Sequence, residues 1–306
     1  MCCFCSAVIE LLLSSALFGR CHLRAHCGDP ASSHARSMLG HDRHGTFCAD
    51  WQPVDRNASV ISSGTLVVAV ALKDIALEVA LLDERERERG QRLRTAELQQ
   101  CYFAAHTALR QILGWRLNCV PSNLIFHHNA HGKPHLTHHS FVFNLSHCGS
   151  HALIAMAEHG TVGVDLEHRD PLRELDLMAA QVFAASELSF FRALPLPQRH
   201  SAFFIAWTRK EAALKALGLG LPGGLEHIVF RDHSPTLCGN FTVFPGLREL
   251  HIVDLPISAE FAAALCHGPQ PGPVHCRRWL SNTISATSAT SATSPSISHL
   301  PTADTI

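Results

Sequence analysis

Apolar and polar positions alternate along the middle of the chain in patterns that predict two successive sets of strands and helices. The apolar run at 65–71 (TLVVAVA) predicts a buried strand. Apolar residues that recur every three or four positions predict a mostly helical stretch at 84–114, which we expect to end at Gly114. We also expect strands at 141–145, 151–157 and 161–167, helices at 172–183 and 198–217, and strand-like pieces at 228–231, 241–244 and 250–253.

This order of elements favours an α/β (α+β) layered fold built from two halves of similar size. We place the first half at 65–160 and the second at 161–280. The range 1–64 lacks a sustained period, so we expect a poorly structured N-terminal extension. The Ser/Thr/Ala-rich range 281–306 offers little apolar area to offset ordering entropy, and we expect a disordered tail.

Composition narrows the classes of function. Apolar residues make up 46% of the chain, enough for a substantial core, and the formal net charge of -1 gives no electrostatic support for a nucleic-acid partner. Six of the 12 cysteines crowd the first 48 residues, and the others form no CxxC pair, which favours a reducing compartment. The apolar run 7–18 contains Glu10 and is too short to span a bilayer. We therefore expect a cytoplasmic protein without a membrane segment.

The segment TVGVDLEHR at 161–169 carries two acids on one face of a strand. Its aliphatic residues alternate with Gly163, Asp165 and Glu167, so the two carboxylates point the same way. Carboxylates placed together repel one another unless a cation lies between them, and Mg²⁺ is a hard cation held by few carboxylates with water and phosphate. The alternative is an ordinary strand edge that faces solvent.

The helix AFFIAWTRKEAALKALGLGL supplies a second polar stripe. Trp207, Glu211 and Lys215 stand four residues apart and lie on one face. If that face meets Asp165 and Glu167, Glu211 becomes a third acidic ligand and Lys215 a counter-charge for phosphate. A simple Glu-Lys helix pair is the alternative.

Two shorter motifs precede these elements. The segment FNLSH puts Ser146 and His147 at the end of a strand, where His147 is a candidate for phosphate contact or proton transfer. Adjacent residues on a strand point opposite ways, so the two do not form a nucleophile and base pair. The turn Gly132-Lys133-Pro134 presents a lysine on a stiffened backbone, although an ordinary surface turn has the same sequence.

Taken in order, these motifs resemble the signatures of the surfactin-type 4'-phosphopantetheinyl transferases. The resemblance covers about residues 67–253 and leaves out both ends of the chain. The matching segments are Gly132-Lys133-Pro134, Phe143 to His147, Gly163 to Glu167, Phe183 with Glu187, and Trp207 to Ala212 with Lys215.

The resemblance implies a monomeric pseudo-dimer of two similar halves, each with a small antiparallel sheet and a long helix, and coenzyme A between them. It implies Mg²⁺ ligands at Asp165, Glu167 and Glu211. Coenzyme A contacts are implied for Lys133, Ser146, His147 and Lys215, with His147 near the 3'-phosphate and Lys215 near the pyrophosphate.

The implied reaction moves the phosphopantetheine arm of coenzyme A to a serine of an apo acyl or peptidyl carrier protein and releases adenosine 3',5'-bisphosphate. Such a transfer needs positioning and charge neutralisation rather than a covalent enzyme intermediate. Glu211 is our candidate for accepting the serine proton, Lys215 supports the leaving charge, and Glu187 has a supporting catalytic role.

One departure from the family pattern keeps alternatives open. Cys101 stands where the family commonly has an arginine that helps to hold the 3'-phosphate, and Arg85, Arg92 or Arg94 are candidate substitutes. The alternatives are a coenzyme A or carrier-protein binding module that has lost activity, and a Mg²⁺-dependent phosphohydrolase that uses the same acids.

Overall fold

The computed structural model describes residues 47–48, 50–56, 63–137, 140–172, 174–219, 224–230, 237, 242–269 and 272–280. Within these ranges the strands are β1 (Gln52–Pro53), β2 (Thr65–Ala71), β3 (Phe126–His128), β4 (Pro134–Leu136), β5 (Val142–Cys148), β6 (His151–Ala157), β7 (Thr161–His168), β8 (His251–Asp254), β9 (Phe261–Gly268) and β10 (Val274–Trp279). The helices are α1 (Glu84–Gln91), α2 (Ala96–Leu117), α3 (Leu175–Val182), α4 (Ala185–Ala193) and α5 (Leu196–Leu217). None of the described helices is both long and apolar enough to cross a membrane.

Two sheets form the framework. The first has the order β1-β10-β2-β6-β5, in which β2, β6 and β5 pair antiparallel, while β10 runs parallel to β2. The second has the order β7-β9-β8 and is antiparallel. A 22-residue helix accompanies each sheet, α2 the first and α5 the second. This mixed architecture of small sheets and long helices confirms the predicted α/β fold class; the pseudo-dimer relation between the halves stays a prediction.

The first sheet is buried on both faces, which explains the unbroken apolar run in β2. Leu66, Val68 and Val70 pack with residues of α2 such as Ile112, whereas the intervening side chains join the core formed by β7 and α5. The second core contains Val162, Val164 and Leu166 of β7, all fully buried as the alternation at 161–167 predicts.

The helical stretch predicted at 84–114 is divided into α1 and α2. Asp83 begins α1 with a capping box, in which its Oδ1 accepts from Glu86 N at 2.8 Å and its own N donates to Glu86 Oε2 at 2.9 Å. Thr95 Oγ1 then accepts from Leu98 N at 3.2 Å and begins α2. The helix continues through Gly114 and ends at Asn118 in the left-handed region, so Gly114 is not its cap.

The remaining predicted helices agree with the structure more closely than the remaining predicted strands. The helix predicted at 172–183 is Leu175–Val182, and the helix predicted at 198–217 is Leu196–Leu217, with Gly218 as its left-handed cap. The piece predicted at 228–231 shows a single bridge between Phe230 and Leu237. The piece predicted at 241–244 is a turn over its described residues 242–244, and β8 begins one residue after the predicted 250.

Both ends of the described chain pack on the sheets. Phe47 and Trp51 are buried although they belong to the range predicted to be poorly structured, and Trp51 Nε1 donates to Pro256 O at 2.8 Å. Strand β10 belongs to the range assigned to the second half but pairs with β2 in the first sheet. The predicted tail at 281–306 lies outside the described residues.

Candidate active site

A close approach of β7 and α5 creates the site. A Cβ atom on Gly163 would lie 2.1 Å from Ala212 O and 2.3 Å from Ala216 N, both backbone atoms of α5. Only glycine permits this contact without displacement of the helix. The same face of β7 carries Asp165 and Glu167, so the short distance at Gly163 brings both acids under α5.

The stripe on α5 faces these acids. Trp207 Nε1 donates to Glu167 Oε1 at 3.4 Å, and Lys215 Nζ donates to Asp165 Oδ1 at 2.5 Å, two turns further along the helix. Glu211 lies between the two contacts on the same stripe and is buried. Asp165 and Glu167 are buried as well, which excludes an ordinary strand edge that faces solvent.

Charge is unevenly balanced in this cluster. Three buried carboxylates surround the Lys215 ammonium, and the negative charges of Asp165, Glu211 and Glu167 all act on it. Burial alone would lower the pKa of Lys215, but these carboxylates outweigh burial and raise its pKa to about 12. Lys215 therefore carries its charge at neutral pH, and this one ammonium lies among three acidic side chains. We call Asp165, Glu167 and Glu211 the acid cluster.

Side chains of β5 hold the edge of β7 in place. Among the described residues, the outward N–H groups of β7 have no strand partner on that side, since β7 is an edge strand of its sheet. Val164 N donates to Asn144 Oδ1 at 2.8 Å, and Leu166 N donates to Ser146 Oγ at 3.3 Å. The two sheets thus meet through side chain to backbone bonds, and FNLSH serves as a docking strip for the strand that carries Asp165.

Ser146, predicted to contact coenzyme A, lies inside the acid cluster. Its hydroxyl donates to Asp165 Oδ1 at 3.1 Å and accepts from Lys215 Nζ at 3.1 Å and from Leu166 N. One donor and two acceptor positions are all that a hydroxyl has, so this side chain is fully used. Contact with coenzyme A stays a prediction for Ser146.

His147 points away from Ser146, as the alternation along β5 requires. It is half-buried, and burial together with the positive charges of His106, Lys215 and Arg89 lowers its pKa to about 4. The imidazole is therefore neutral at pH 7. The cations that act on His147 belong to α1, α2 and α5.

Lys133 occupies the β3–β4 hairpin, and its ammonium is turned inward. Lys133 Nζ donates to Val162 O at 2.9 Å and to Ala216 O at 3.1 Å, which fastens the hairpin to the last turn of α5. Burial lowers the pKa of Lys133 to about 8. The two carbonyls use two of the three N–H donors of this ammonium, and its contact with coenzyme A stays a prediction.

Glu187 belongs to a separate buried network. Its Oε2 accepts from Lys210 Nζ at 2.6 Å and from Ala184 N at 2.9 Å, while Oε1 accepts from Phe230 N at 2.9 Å. Lys210 precedes Glu211 in α5 and is fully buried. The structure therefore does not bring Glu187 into direct contact with the acid cluster, and connects it to that cluster through the helix.

The donor set suits a divalent cation in its chemistry. In the part of the chain that the structure describes, no three His, Cys, Asp or Glu side chains already enclose a metal position. Asp165 Oδ2, however, is buried and accepts no hydrogen bond from any described residue. Mg²⁺ takes few carboxylate oxygens and completes its shell with water and phosphate, so the acid cluster would hold it once Lys215 withdraws.

Several functional neighbours escaped the sequence reasoning. Asn144 carries no signal in isolation, because an asparagine in a strand is usually assigned to a surface. Cys101 is half-buried against the apolar core of the first sheet. Arg89, rather than the candidates Arg85, Arg92 and Arg94, is the α1 arginine whose charge acts on His147.

Comparison with known proteins agrees with this geometry. The family model described as the 4'-phosphopantetheinyl transferase superfamily matches residues 161–266, the range that holds β7, α5 and β9. The protein slr0495 of Synechocystis is 35% identical over 153 residues, which cover 49% of this chain and 62% of that protein. The 4'-phosphopantetheinyl transferase HetI of Nostoc is 32% identical over 182 residues, which cover 56% of this chain and 76% of HetI.

A third relative, the 4'-phosphopantetheinyl transferase psf-1 of Bacillus pumilus, is 34% identical over 157 residues, 46% of this chain and 66% of that protein. The fold and the site together describe a class of α/β protein that carries acidic side chains on a strand and on a helix where two sheets meet. This chain belongs to the 4'-phosphopantetheinyl transferase superfamily.

Proposed function

We propose that this protein transfers the 4'-phosphopantetheine arm of coenzyme A to a serine of an apo acyl or peptidyl carrier protein. The observation that carries the proposal is the acid cluster, three buried carboxylates from β7 and α5 with Lys215 among them. Similarity to the transferases HetI and psf-1 supports the same reaction. Mg²⁺ is the proposed cofactor, and adenosine 3',5'-bisphosphate the proposed leaving product.

The residues divide the work as follows. Mg²⁺ held by Asp165, Glu167 and Glu211 would neutralise charge on the pyrophosphate. The serine oxygen of the carrier protein forms a bond to the β-phosphorus of coenzyme A, and Glu211 accepts the serine proton. At the same time the bond from the β-phosphorus to the leaving adenosine 3',5'-bisphosphate breaks. Lys215 supports the leaving charge, since its ammonium is the cation nearest to the acids.

Other predicted residues support this arrangement. Glu187 holds Lys210, the residue before Glu211 in α5, and so has a supporting role without contact to the substrate. His147, on which the positive charges of His106, Lys215 and Arg89 act, is proposed to bind the 3'-phosphate. We propose that Lys133, at the last turn of α5, and Ser146, inside the acid cluster, help to position coenzyme A. We further propose a cytoplasmic monomer.

The decisive experiment follows a labelled coenzyme A arm onto an apo carrier protein in the presence of Mg²⁺. Asp165→Asn should lower the rate of transfer by at least about 100-fold, because a divalent ion supplies several kcal/mol of transition-state stabilisation. Asp254→Asn is the matched control, since Asp254 pairs with Arg209 at 2.5 Å outside the acid cluster.

Near-normal transfer by Asp165→Asn would remove the metal assignment. Tight binding of coenzyme A without transfer by the wild-type protein would instead point to a binding module. Release of adenosine products without any carrier protein would indicate a phosphohydrolase.

A further inference from the structure

The Lys215 ammonium lies against the acid cluster. It contacts Asp165 Oδ1 at 2.5 Å and Ser146 Oγ at 3.1 Å. Glu211 lies one turn earlier on the same face of α5, so the ammonium adjoins acids from both the strand and the helix. A cation attracted by these acids has to share them with Lys215.

The two charges of the pair differ in exposure. The side chain of Asp165 is 3% exposed and that of Lys215 is 25% exposed. The acids are therefore fixed in the interior, whereas the lysine reaches them from the open side on a flexible four-carbon stem. Such a side chain can withdraw toward solvent without disturbing β7 or α5.

The Lys215 ammonium and a divalent cation held by the same acids would repel one another, and the repulsion is strong in a partly buried site. We propose that Lys215 is the internal counter-ion of the acid cluster. Its ammonium lowers the affinity of the three acids for a divalent ion, and that affinity rises once a diphosphate draws the ammonium away. The inference rests on the proposed function, because it assigns the ion to these three acids.

Binding order follows from this coupling. When an anionic diphosphate attracts Lys215, the acids lose their counter-ion and their affinity for a divalent cation rises. Coupling between two ligands is reciprocal, so the cation raises the affinity for the diphosphate by the same factor. Lys215 thereby suppresses the loading of the site with ion alone.

Binding of Mn²⁺ alone, followed by electron paramagnetic resonance without coenzyme A or carrier protein, tests the inference. Lys215→Gln removes the charge and should bind Mn²⁺ about tenfold more tightly than the wild-type protein, within the usual size of coupling between sites. Lys215→Arg keeps the charge and should bind Mn²⁺ as the wild-type protein does. Thermal unfolding of both variants checks that the fold is retained, and Lys215→Met provides a second neutral side chain.

Equal or weaker binding by folded Lys215→Gln and Lys215→Met would overturn the inference. Asp165→Asn separates this failure from failure of the proposed function. If wild-type protein binds Mn²⁺ and Asp165→Asn does not, the acid cluster remains the ion site even when Lys215 has no opposing effect. If neither wild-type nor Lys215→Gln binds Mn²⁺, the ion site and the inference fall together.

Discussion

The two halves of the molecule both contain buried acids, but these acids differ in how completely basic side chains pair with them. In the first half, Arg110 is buried between α1 and α2, where its Nε donates to Glu86 Oε2 at 2.8 Å and its Nη2 to Asp83 Oδ2 at 3.1 Å. His106 Nδ1 lies 2.9 Å from Glu86 Oε1. In the second half, three buried acids share Lys215, and Asp165 Oδ2 has no hydrogen-bond partner among the described residues.

This difference distinguishes a cluster whose acids are paired within the fold from the proposed functional cluster. Burial opposes the charge of Glu86, yet the hydrogen bonds and charges of His106 and Arg110 outweigh burial and lower its pKa. The carboxylate of Glu86 is therefore already paired within the fold. The acid cluster instead groups three buried acids around one ammonium, an arrangement that marks a candidate functional site.

Removal of Arg110 should have the largest effect on stability. Arg110→Met leaves Glu86 buried without its main partner, so the free energy of unfolding should fall by about 3 to 5 kcal/mol. Chemical denaturation measures the change. Arg92→Met is the matched control, because Arg92 pairs with Glu88 at 2.7 Å on the surface, and it should lose less than about 1 kcal/mol. Equal losses in the two variants would contradict the comparison.

Gly163→Ala should have the next largest effect on the free energy of unfolding. The new methyl group meets the backbone of α5 rather than a flexible side chain, so the helix must move away from β7. We expect a loss of about 3 kcal/mol in the free energy of unfolding and weaker Mn²⁺ binding, since Glu211 moves with the helix. At Gly246 the one atom of the described residues that an added Cβ meets is Leu217 Cδ2 at 3.0 Å, so Gly246→Ala should lower the free energy of unfolding much less.

Neutralising one acid in each half should give changes of opposite sign. Glu86→Gln should lower the free energy of unfolding by about 2 kcal/mol, because it weakens charge-assisted bonds to Arg110 and His106. Glu211→Gln should raise it by about 1 kcal/mol while transfer to a carrier protein is lost, as is usual where function strains a fold. Destabilisation of similar size by both changes would show that the two clusters do not differ in balance.

The smallest effect at neutral pH concerns His147. Its folded pKa of about 4 lies below the ordinary value of 6.5, so the unfolded chain binds the extra proton first as pH falls. The stability that this residue contributes is present above about pH 6.5 and is lost between there and pH 4. His147→Gln should flatten this part of the stability curve in unfolding experiments from pH 7 to pH 4. An unchanged slope would contradict the lowered pKa of the half-buried imidazole.

Local sequence signals predicted the elements whose periods are strong. The run at 65–71 is β2, and the alternation at 161–167 lies within β7. The strands β9 and β10 were not predicted, since the fully buried FAAALCHG has no alternation and could equally be a helix by composition. The strands β3 and β4 are three residues each, too short for a period to appear.

The sequence by itself determined which candidate site residues share a face, because alternation on β7 and the four-residue spacing on α5 fix the direction of their side chains. Only the tertiary structure decided how those faces meet. The contact at Gly163, the bonds from Asn144 and Ser146 to the edge of β7, and the place of Lys215 among the acids depend on residues far apart in the chain. A local period carries no information about such contacts, since they arise when two separately formed surfaces pack together.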